Sequence, residues 1–292
     1  MGKTDASLEL ARRLGAEIVL IDSMTVYRGL DVGTAKPSPE ERALVPHHLV
    51  DVAEPGEPFS VARFQRMAGQ ALASIATRGN PALLVGGSGL YYRAVVDGLE
   101  FPGTDPAVRA TLEAEAASVG AGALHARLKA VDPAAAGKIE PRNARRTIRA
   151  LEVAAITGRP FSSFAERWGR YPGGRVRAVG VMLGPGALRT RIEARTRGMF
   201  ERGLVDEVRD LFDRGFGRVV TASQAIGYRE VAEHLAGRWS LEEAADRIVR
   251  RTRELARRQM AWFRRDPRIR WFEAGPKGAA ELVDEIEEHL RS

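Results

Sequence analysis

The sequence contains no cysteine. That excludes disulfides, thiolate nucleophiles and Cys-ligated zinc, and it suits a reducing compartment, so a cytoplasmic protein is expected. Lysine is scarce as well: of 45 basic residues only Lys3, Lys36, Lys129, Lys138 and Lys277 are lysine, and the other 40 are arginine. No apolar run approaches the roughly 20 residues that a membrane-spanning helix needs. The first turns carry Lys3, Asp5, Glu9, Arg12 and Arg13, a charge pattern foreign to a signal peptide. What is present is ample apolar material, 44% of 292 residues, enough to bury a large core. The formal charge of +7 and pI of about 10.1 point to a polyanionic partner. An Arg-rich, Ala- and Gly-rich composition is also what a GC-rich genome produces, so the position of the charge has to decide.

Hydrophobic periodicity divides the chain into strand–helix alternation at both ends and helices in the middle. An amphipathic helix through Leu8, Leu10, Ala11 and Leu14 stops at Gly15 and is followed by a short buried strand, 17–21, ending at Asp22. A helix over 59–78 leads into a second buried strand, Ala82–Val85, and then Gly86-Gly87-Ser88-Gly89 and another helix. Strands that empty into Gly- or Asp-bearing loops before helices imply a parallel α/β sheet, with ligands bound beyond the carboxyl ends of the strands. From 105 to about 170 the pattern is helical only: 106–118, 121–130, 142–157 and a short piece at 161–167. Strand character returns at 176–183, with helices at 187–202, 204–214, 222–235 and 240–265, a strand at 270–272 and a helix at 277–290. The expected organisation is an α/β core over 1–103, a helical insertion over 104–174, and completion of the core over 175–292.

Gly2-Lys3-Thr4 at the start of a helix has the form of the second half of a P-loop. Glycine lets backbone approach phosphate oxygens, lysine neutralises them, and the Thr4 hydroxyl can ligate Mg²⁺. Asp22, just past a buried strand on the phosphate side, is placed for a general base or a Mg²⁺ partner; a helix-capping or turn aspartate is the plainer alternative.

The most informative stretch is Asp22-Ser23-Met24-Thr25-Val26-Tyr27-Arg28-Gly29-Leu30-Asp31-Val32-Gly33-Thr34-Ala35-Lys36-Pro37, followed by Pro46-His47-His48-Leu49-Val50-Asp51. It closely resembles the D-S-x-x-x-Y-x-G-x-D-I-G-T-A-K-P and P-H-H-L-x-D segments of the tRNA dimethylallyltransferases. Val85-Gly86-Gly87-Ser88-Gly89-Leu90-Tyr91 is similar to that family's V-G-G-T-G-L-Y. Further similar segments are Arg145–Glu152, Arg191–Arg195, Gln224–Arg229 and Arg257–Arg264, in the family's order from residue 2 to about 272.

The resemblance implies a P-loop NTPase-like parallel sheet core with an inserted all-helical domain. It also implies a reaction: the dimethylallyl group of dimethylallyl diphosphate passes to N6 of the adenosine 3′-adjacent to the anticodon, in tRNAs that read codons beginning with U. By the same resemblance Asp22 is the base, while Gly2, Lys3, Thr4, Arg191 and Arg195 hold the diphosphate, with Mg²⁺ on Thr4. Contact with tRNA is implied for Asp22, Ser23, Met24, Thr25, Ser88, Arg109, Arg145, Arg146, Arg149, Gln224, Gly227, Tyr228, Arg229, Arg257, Arg258, Gln259, Trp262 and Arg264. His47 matches a position near the active site, and the family resemblance implies a monomer.

The basic residues gain positions on this reading. Arg142, Arg145, Arg146 and Arg149 fall along one side of an inserted helix, and arginines from 247 to 265 load the long C-terminal one, with Trp262 and Phe263 between them. Alternatives are a prenyltransferase of free adenine nucleotides, which needs no basic helical insertion; a P-loop kinase of small metabolites, which needs no long basic helix; and an inactive RNA-binding remnant. The family's P-loop carries a strand and a first glycine ahead of Gly-Lys-Thr. Judged against it, the sheet lacks its central strand and the pyrophosphate part of its cradle. Little prenyl transfer is therefore expected of the 292-residue chain, with recovery when an upstream strand ending in Gly-Pro-Thr-Ala is restored.

Overall fold

The structure, a computed structural model, describes residues 3–173, 176–217, 220–275 and 278–292. It divides into one unit built from Met1–Val96 and Gly173–Ser292 and a second, Asp97–Pro172, somewhat earlier at its start than the 104–174 expected from sequence. The chain opens with helix α1 (Lys3–Leu14), strand β1 (Glu17–Ile21), α2 (Pro39–Leu44), the short β2 (His47–His48), α3 (Val61–Thr77), β3 (Ala82–Gly86) and α4 (Gly89–Val96). Sequence reasoning passed over α2, whose six residues are too few for a periodic signal. It is fixed instead by a capping box in which Ser38 and Glu41 satisfy each other's backbone amides.

β1 runs parallel to β2 on one side and β3 on the other, in the order β2-β1-β3. Its apolar residues explain its place: Ile18 and Val19 are wholly buried and Ile21 nearly so. Val19 and Ile21 join Phe64, Tyr91, Leu204, Val208 and Tyr228 in the main core, whereas Ile18 packs on the other face with Ala11, Ala16 and Val45. A strand buried on both faces reads as a continuous apolar run, which is how 18–21 reads.

The second unit is helical, as expected: α5 (Pro106–Val131), α6 (Pro133–Ala136), α7 (Ala144–Thr157) and a 3-10 segment, Phe161–Gly169. The two helices expected at 106–118 and 121–130 form one element interrupted at Gly120, whose φ of +84° is non-helical. Its core gathers Leu112, Leu124, Leu128, Ile148 and Leu151. α7 starts at Ala144, with Asn143 as its cap, so Arg142 precedes the helix instead of lying on it.

The first unit then resumes with β4 (Ala178–Leu183), α8 (Pro185–Glu201), α9 (Leu204–Asp213), α10 (Val220–Ser223), α11 (Tyr228–Leu235), α12 (Leu241–Phe263), β5 (Ile269–Ala274), a 3-10 turn over Gly278–Leu282 and α13 (Val283–Arg291). The single helix expected at 222–235 is two, because Gly227 takes a φ of +98° between them. β4 and β5 pair in parallel as a separate sheet. Among the described residues, β3 and β4 each have one edge without a ladder partner. A cleft of about 860 Å³ runs alongside both, and Leu83, Leu84, Val179 and Val181 remain only half-buried there. All described pairings are parallel, with helices between strands, in keeping with the α/β reading.

One polar group interrupts β1's apolar run. Glu17 is buried, and its carboxylate accepts from Arg78 Nε (2.7 Å) and Nη2 (2.8 Å) and from Asn80 Nδ2 (3.0 Å), with His48 Nε2 at 2.7 Å. The Arg78 guanidinium, more than the burial opposing it, holds the Glu17 carboxyl well below the usual range, at about 2. A carboxyl with a depressed folded-state pKa contributes stability that is present above its unfolded value and lost as pH falls through the folded one. Acid unfolding monitored by circular dichroism should therefore lose part of its stability between about pH 4.5 and 2. Glu17→Gln should lower Tm at neutral pH and flatten that stretch of the curve; a variant with an unchanged acid limb would show that the cluster does not carry this stability.

Candidate functional site

The turn after β1 is shaped by Asp22. Its Oδ1 accepts the backbone N–H of Met24 (2.7 Å) and of Thr25 (3.3 Å), so the plainer reading of Asp22 as a turn residue is correct for one oxygen. Oδ2 has no hydrogen-bond partner among the described residues. Lys3, in the first turn of α1, and Arg195, on α8, both lie within electrostatic reach of this carboxylate. Neither cation has a hydrogen-bond or ion-pair partner of its own among the described residues. Lys3 is partly exposed and Arg195 exposed, so solvent reaches both. Desolvation pushes both below their ordinary pKa values; the Asp22 charge opposes it for each, and Arg195 adds to it for Lys3.

An uncommitted ammonium and guanidinium beside a half-committed carboxylate form a place for an anion with several oxygens, next to a proton acceptor. The free first-turn amides of α1 add positive potential from the same side. Thr4 follows Lys3, and its hydroxyl and the free Asp22 oxygen are hard donors of the kind Mg²⁺ takes, completed by waters and substrate phosphates. Tyr91, whose part was not read from sequence, walls the site. It stacks on Phe64 with centroids 4.3 Å apart, and burial chiefly, with the charge of Asp22 adding, raises its phenol.

The segment from Asp22 to Lys36 is stitched to residues 49–53. Asp51 N donates to Thr25 O (3.3 Å), and Val52 N and Ala53 N both donate to Val26 O (2.8 and 2.9 Å). Leu49 and Asp51 adopt φ of +64° and +55° to make these bonds. Left-handed conformations of this kind cost non-glycine residues on the order of 1–3 kcal/mol each and persist where surrounding structure fixes them. His47, by contrast, is a strand residue whose Nδ1 lies 2.7 Å from Val45 O. Burial lowers its pKa, and among the described residues no hydrogen bond joins it to Asp22.

Ser23 and Met24 are partly exposed beside Asp22, while Thr25 is buried. Ser88 precedes α4, its carbonyl accepting from Tyr92 N at 2.9 Å. The loop holding it lies against α12: a Cβ at Gly89 would come within 2.1 Å of Trp262, and Gln259 approaches Gly87 as closely as 2.4 Å on the same measure. Trp262 and Gln259 thus pack on the Gly-rich loop instead of projecting from a bare helix face. Arg250, Arg253, Arg257 and Arg258 are exposed on α12, as is Arg264 just past its end, whereas Arg251 turns inward to the buried Glu230.

Other expectations meet the packing differently. Gly227 and Tyr228 are buried, so they present no surface to a polynucleotide; Gln224 and Arg229 beside them are exposed. Arg109 and Arg149 are held by Glu152, which is fully buried, at 2.6 and 2.8 Å. Arg149 also donates to the carbonyls of Pro102 and Gly103. Arg145 and Arg146 are exposed and unpaired among the described residues. Of the three arginines on α7, Arg149 is thus committed to Glu152 and to backbone carbonyls, while Arg145 and Arg146 are left exposed. Arg191 lies against Gly278. Gly2 lies outside the described residues.

Comparison with known proteins gives one consistent result. Residues 25–266 match the sequence family described as IPP transferase. A tRNA dimethylallyltransferase of Streptomyces coelicolor is 50% identical over 281 residues, covering 96% of this chain and 89% of that protein. One from Desulforudis audaxviator is 46% identical over 293 residues, covering 98% and 94%. Among solved structures, the full-length tRNA isopentenylpyrophosphate transferase of Bacillus halodurans is 41% identical with a TM-score of 0.68, covering 99% of this chain and 93% of that one. A eukaryotic dimethylallyltransferase acting on tRNA is 26% identical with a TM-score of 0.76, covering 96% and 72%.

The two kinds of arginine in the helical unit should separate by experiment. Arg145→Ala with Arg146→Ala should weaken RNA binding and reduce the slope of log K against log[salt] by about one per arginine, with Tm nearly unchanged. Arg149→Ala should instead lower Tm, because the Glu152 charge is left buried with one partner fewer. An unaltered salt slope in the double variant would make Arg145 and Arg146 merely solvated.

Proposed function

The chain belongs to the IPP transferase family, and from that premise we propose that it transfers the dimethylallyl group of dimethylallyl diphosphate to an adenosine of tRNA. The observation that carries the chemistry is the free Asp22 oxygen beside Lys3 and Arg195. In the reaction, N6 of the adenine attacks C1 of the diphosphate ester, the C1–O bond breaks with its electron pair going to pyrophosphate, and the N6 proton must leave. The amine is a poor nucleophile because its lone pair is delocalised into the ring, so a base at the attacking side and cations at the leaving side both lower the barrier.

Asp22 Oδ2 accepts the proton while Oδ1 stays fixed by the Met24 and Thr25 amides, which aims the carboxylate without consuming it. Lys3 and Arg195 neutralise the charge that grows on the pyrophosphate. When Mg²⁺ is bound, Thr4 Oγ1 would hold it, and it would supply further charge neutralisation to the diphosphate. Ser23 and Met24, partly exposed next to the base, are suited to frame an adenine taken out of its stack. Lys3, Thr4, Asp22 and Arg195 all belong to one unit of one chain, so a monomer suffices.

The arginines on α12 and the pair Arg145 and Arg146 support a tRNA substrate over a free nucleotide, since a mononucleotide needs no extended basic surface. The test is transfer of labelled dimethylallyl to tRNA in Mg²⁺. Asp22→Ala should lower turnover by about 10²–10⁴-fold with tRNA affinity nearly unchanged. Equal loss of binding and rate would leave Asp22 as a turn residue only, and labelling of AMP in preference to tRNA would favour the free-nucleotide reading.

A further inference from the structure

Three successive amides in the segment after β1 converge on two side chains from distant helices. Asp31 N (3.3 Å) and Val32 N (3.1 Å) donate to Glu207 Oε1 on α9, Val32 N also to Oε2 (2.9 Å), and Gly33 N donates to Tyr228 Oη (3.0 Å) at the start of α11. The two acceptors are themselves joined, Tyr228 Oη donating to Glu207 Oε1 at 2.5 Å. Tyr228 is wholly buried. Burial and then the Glu207 charge raise its phenol, so it keeps its proton and stays a donor. A Cβ on Gly33 would lie 2.3 Å from the Tyr228 ring, so the close approach admits only glycine.

The same segment is fixed at its far end by Lys36. The Lys36 side chain is 1% exposed, and its ammonium donates to Tyr27 O (2.8 Å), to Asp51 (2.6 Å) and to Asp31. On its other side Tyr228 is within electrostatic reach of Arg195. Among the described residues no hydrogen bond or ion pair joins Glu207 or Tyr228 to Asp22 or Lys3. They instead hold the middle of a segment whose first residue is Asp22, and Tyr228 does so from a place beside Arg195.

We propose that Glu207 and Tyr228 are positioning residues, which fix the Asp31–Gly33 amides and thereby set the segment from Asp22 to Lys36 against Arg195. The role rests on the reading of Asp22 as the base. It also replaces the expectation that Tyr228 touches tRNA. Loss of the Tyr228 hydroxyl leaves the Gly33 N–H without an acceptor and frees Glu207 on one side. The segment then samples more than one position, and displacement of a reacting group by about 1 Å can lower a rate by about 100-fold.

The experiment uses the full chain with Tyr228→Phe, Glu207→Gln and Glu207→Ala. Val208→Ala, a core residue one position along α9, is the structural control. Amide hydrogen exchange at Val32 and Gly33, Tm, and kcat and KM for labelled dimethylallyl diphosphate with tRNA are measured. Tyr228→Phe and Glu207→Ala should speed exchange at those amides and lower kcat by about 10- to 100-fold, with KM for the diphosphate little changed. Glu207→Gln, which retains one acceptor oxygen, should recover part of both. Val208→Ala should lower Tm while leaving kcat and the relative exchange of Val32 and Gly33 as they were. The proposal is overturned if Tyr228→Phe leaves exchange and kcat unchanged, or moves them only in step with Tm as Val208→Ala does. If the unsubstituted chain transfers no prenyl group to tRNA, the functional reading falls separately, and exchange at Val32 and Gly33 alone decides the positioning claim.

Discussion

The Lys36 ammonium, nearly sealed from solvent, is the constraint around which the candidate site is arranged. A buried cation without partners is penalised by several kcal/mol, so the groups that surround it are not optional. They come from two stretches of chain: the carbonyl of Tyr27 and the carboxylate of Asp31 within the 22–36 segment, and the carboxylate of Asp51. Asp51 is further tied to Arg42 at 2.7 Å on the helix that Ser38 caps. Together the Lys36 and Arg42 charges hold its carboxyl below the ordinary range against the effect of burial. One side chain thus ties the 22–36 segment to the strand-and-turn region beside it. The positive φ at Leu49 and Asp51 is the local strain that this arrangement overrides.

Charge is divided between groups that hold the structure and groups left available. Arg78, Arg109, Arg149, Arg251 and Arg268 each pair with a buried carboxylate, Glu17, Glu152, Glu152, Glu230 and Asp266 respectively. These arginines are the counterpart of acids that could not otherwise be buried. Lys3 and Arg195 near Asp22, with Arg145, Arg146 and the outward residues of α12, make no such pairs among the described residues. A net charge alone does not separate the two sets. Only the uncommitted cations can draw a diphosphate or a phosphate backbone without breaking something else.

Sequence by itself determined the element types and the candidate centre. The apolar run 18–21, buried on both faces, and the Asp at its end made β1 and Asp22 legible, because a central parallel strand is apolar along its buried run and its carboxyl end opens on the ligand side. The 3.6-residue periods made α3, α7 and α12 legible to within a few residues of their ends. Segment order carried the family resemblance, which the comparisons bear out. Tertiary structure alone decided which members of a pattern act. Arg145, Arg146 and Arg149 are near neighbours in sequence, yet Arg149 turns to Glu152 because a buried carboxylate lies on its side of α7. Tyr228 is part of a segment with exposed Gln224 and Arg229, yet it faces inward to Glu207, some twenty residues upstream. Helical spacing fixes where a Cβ points. Whether that direction meets solvent or a buried acid depends on elements far away in the chain, and no local pattern encodes it.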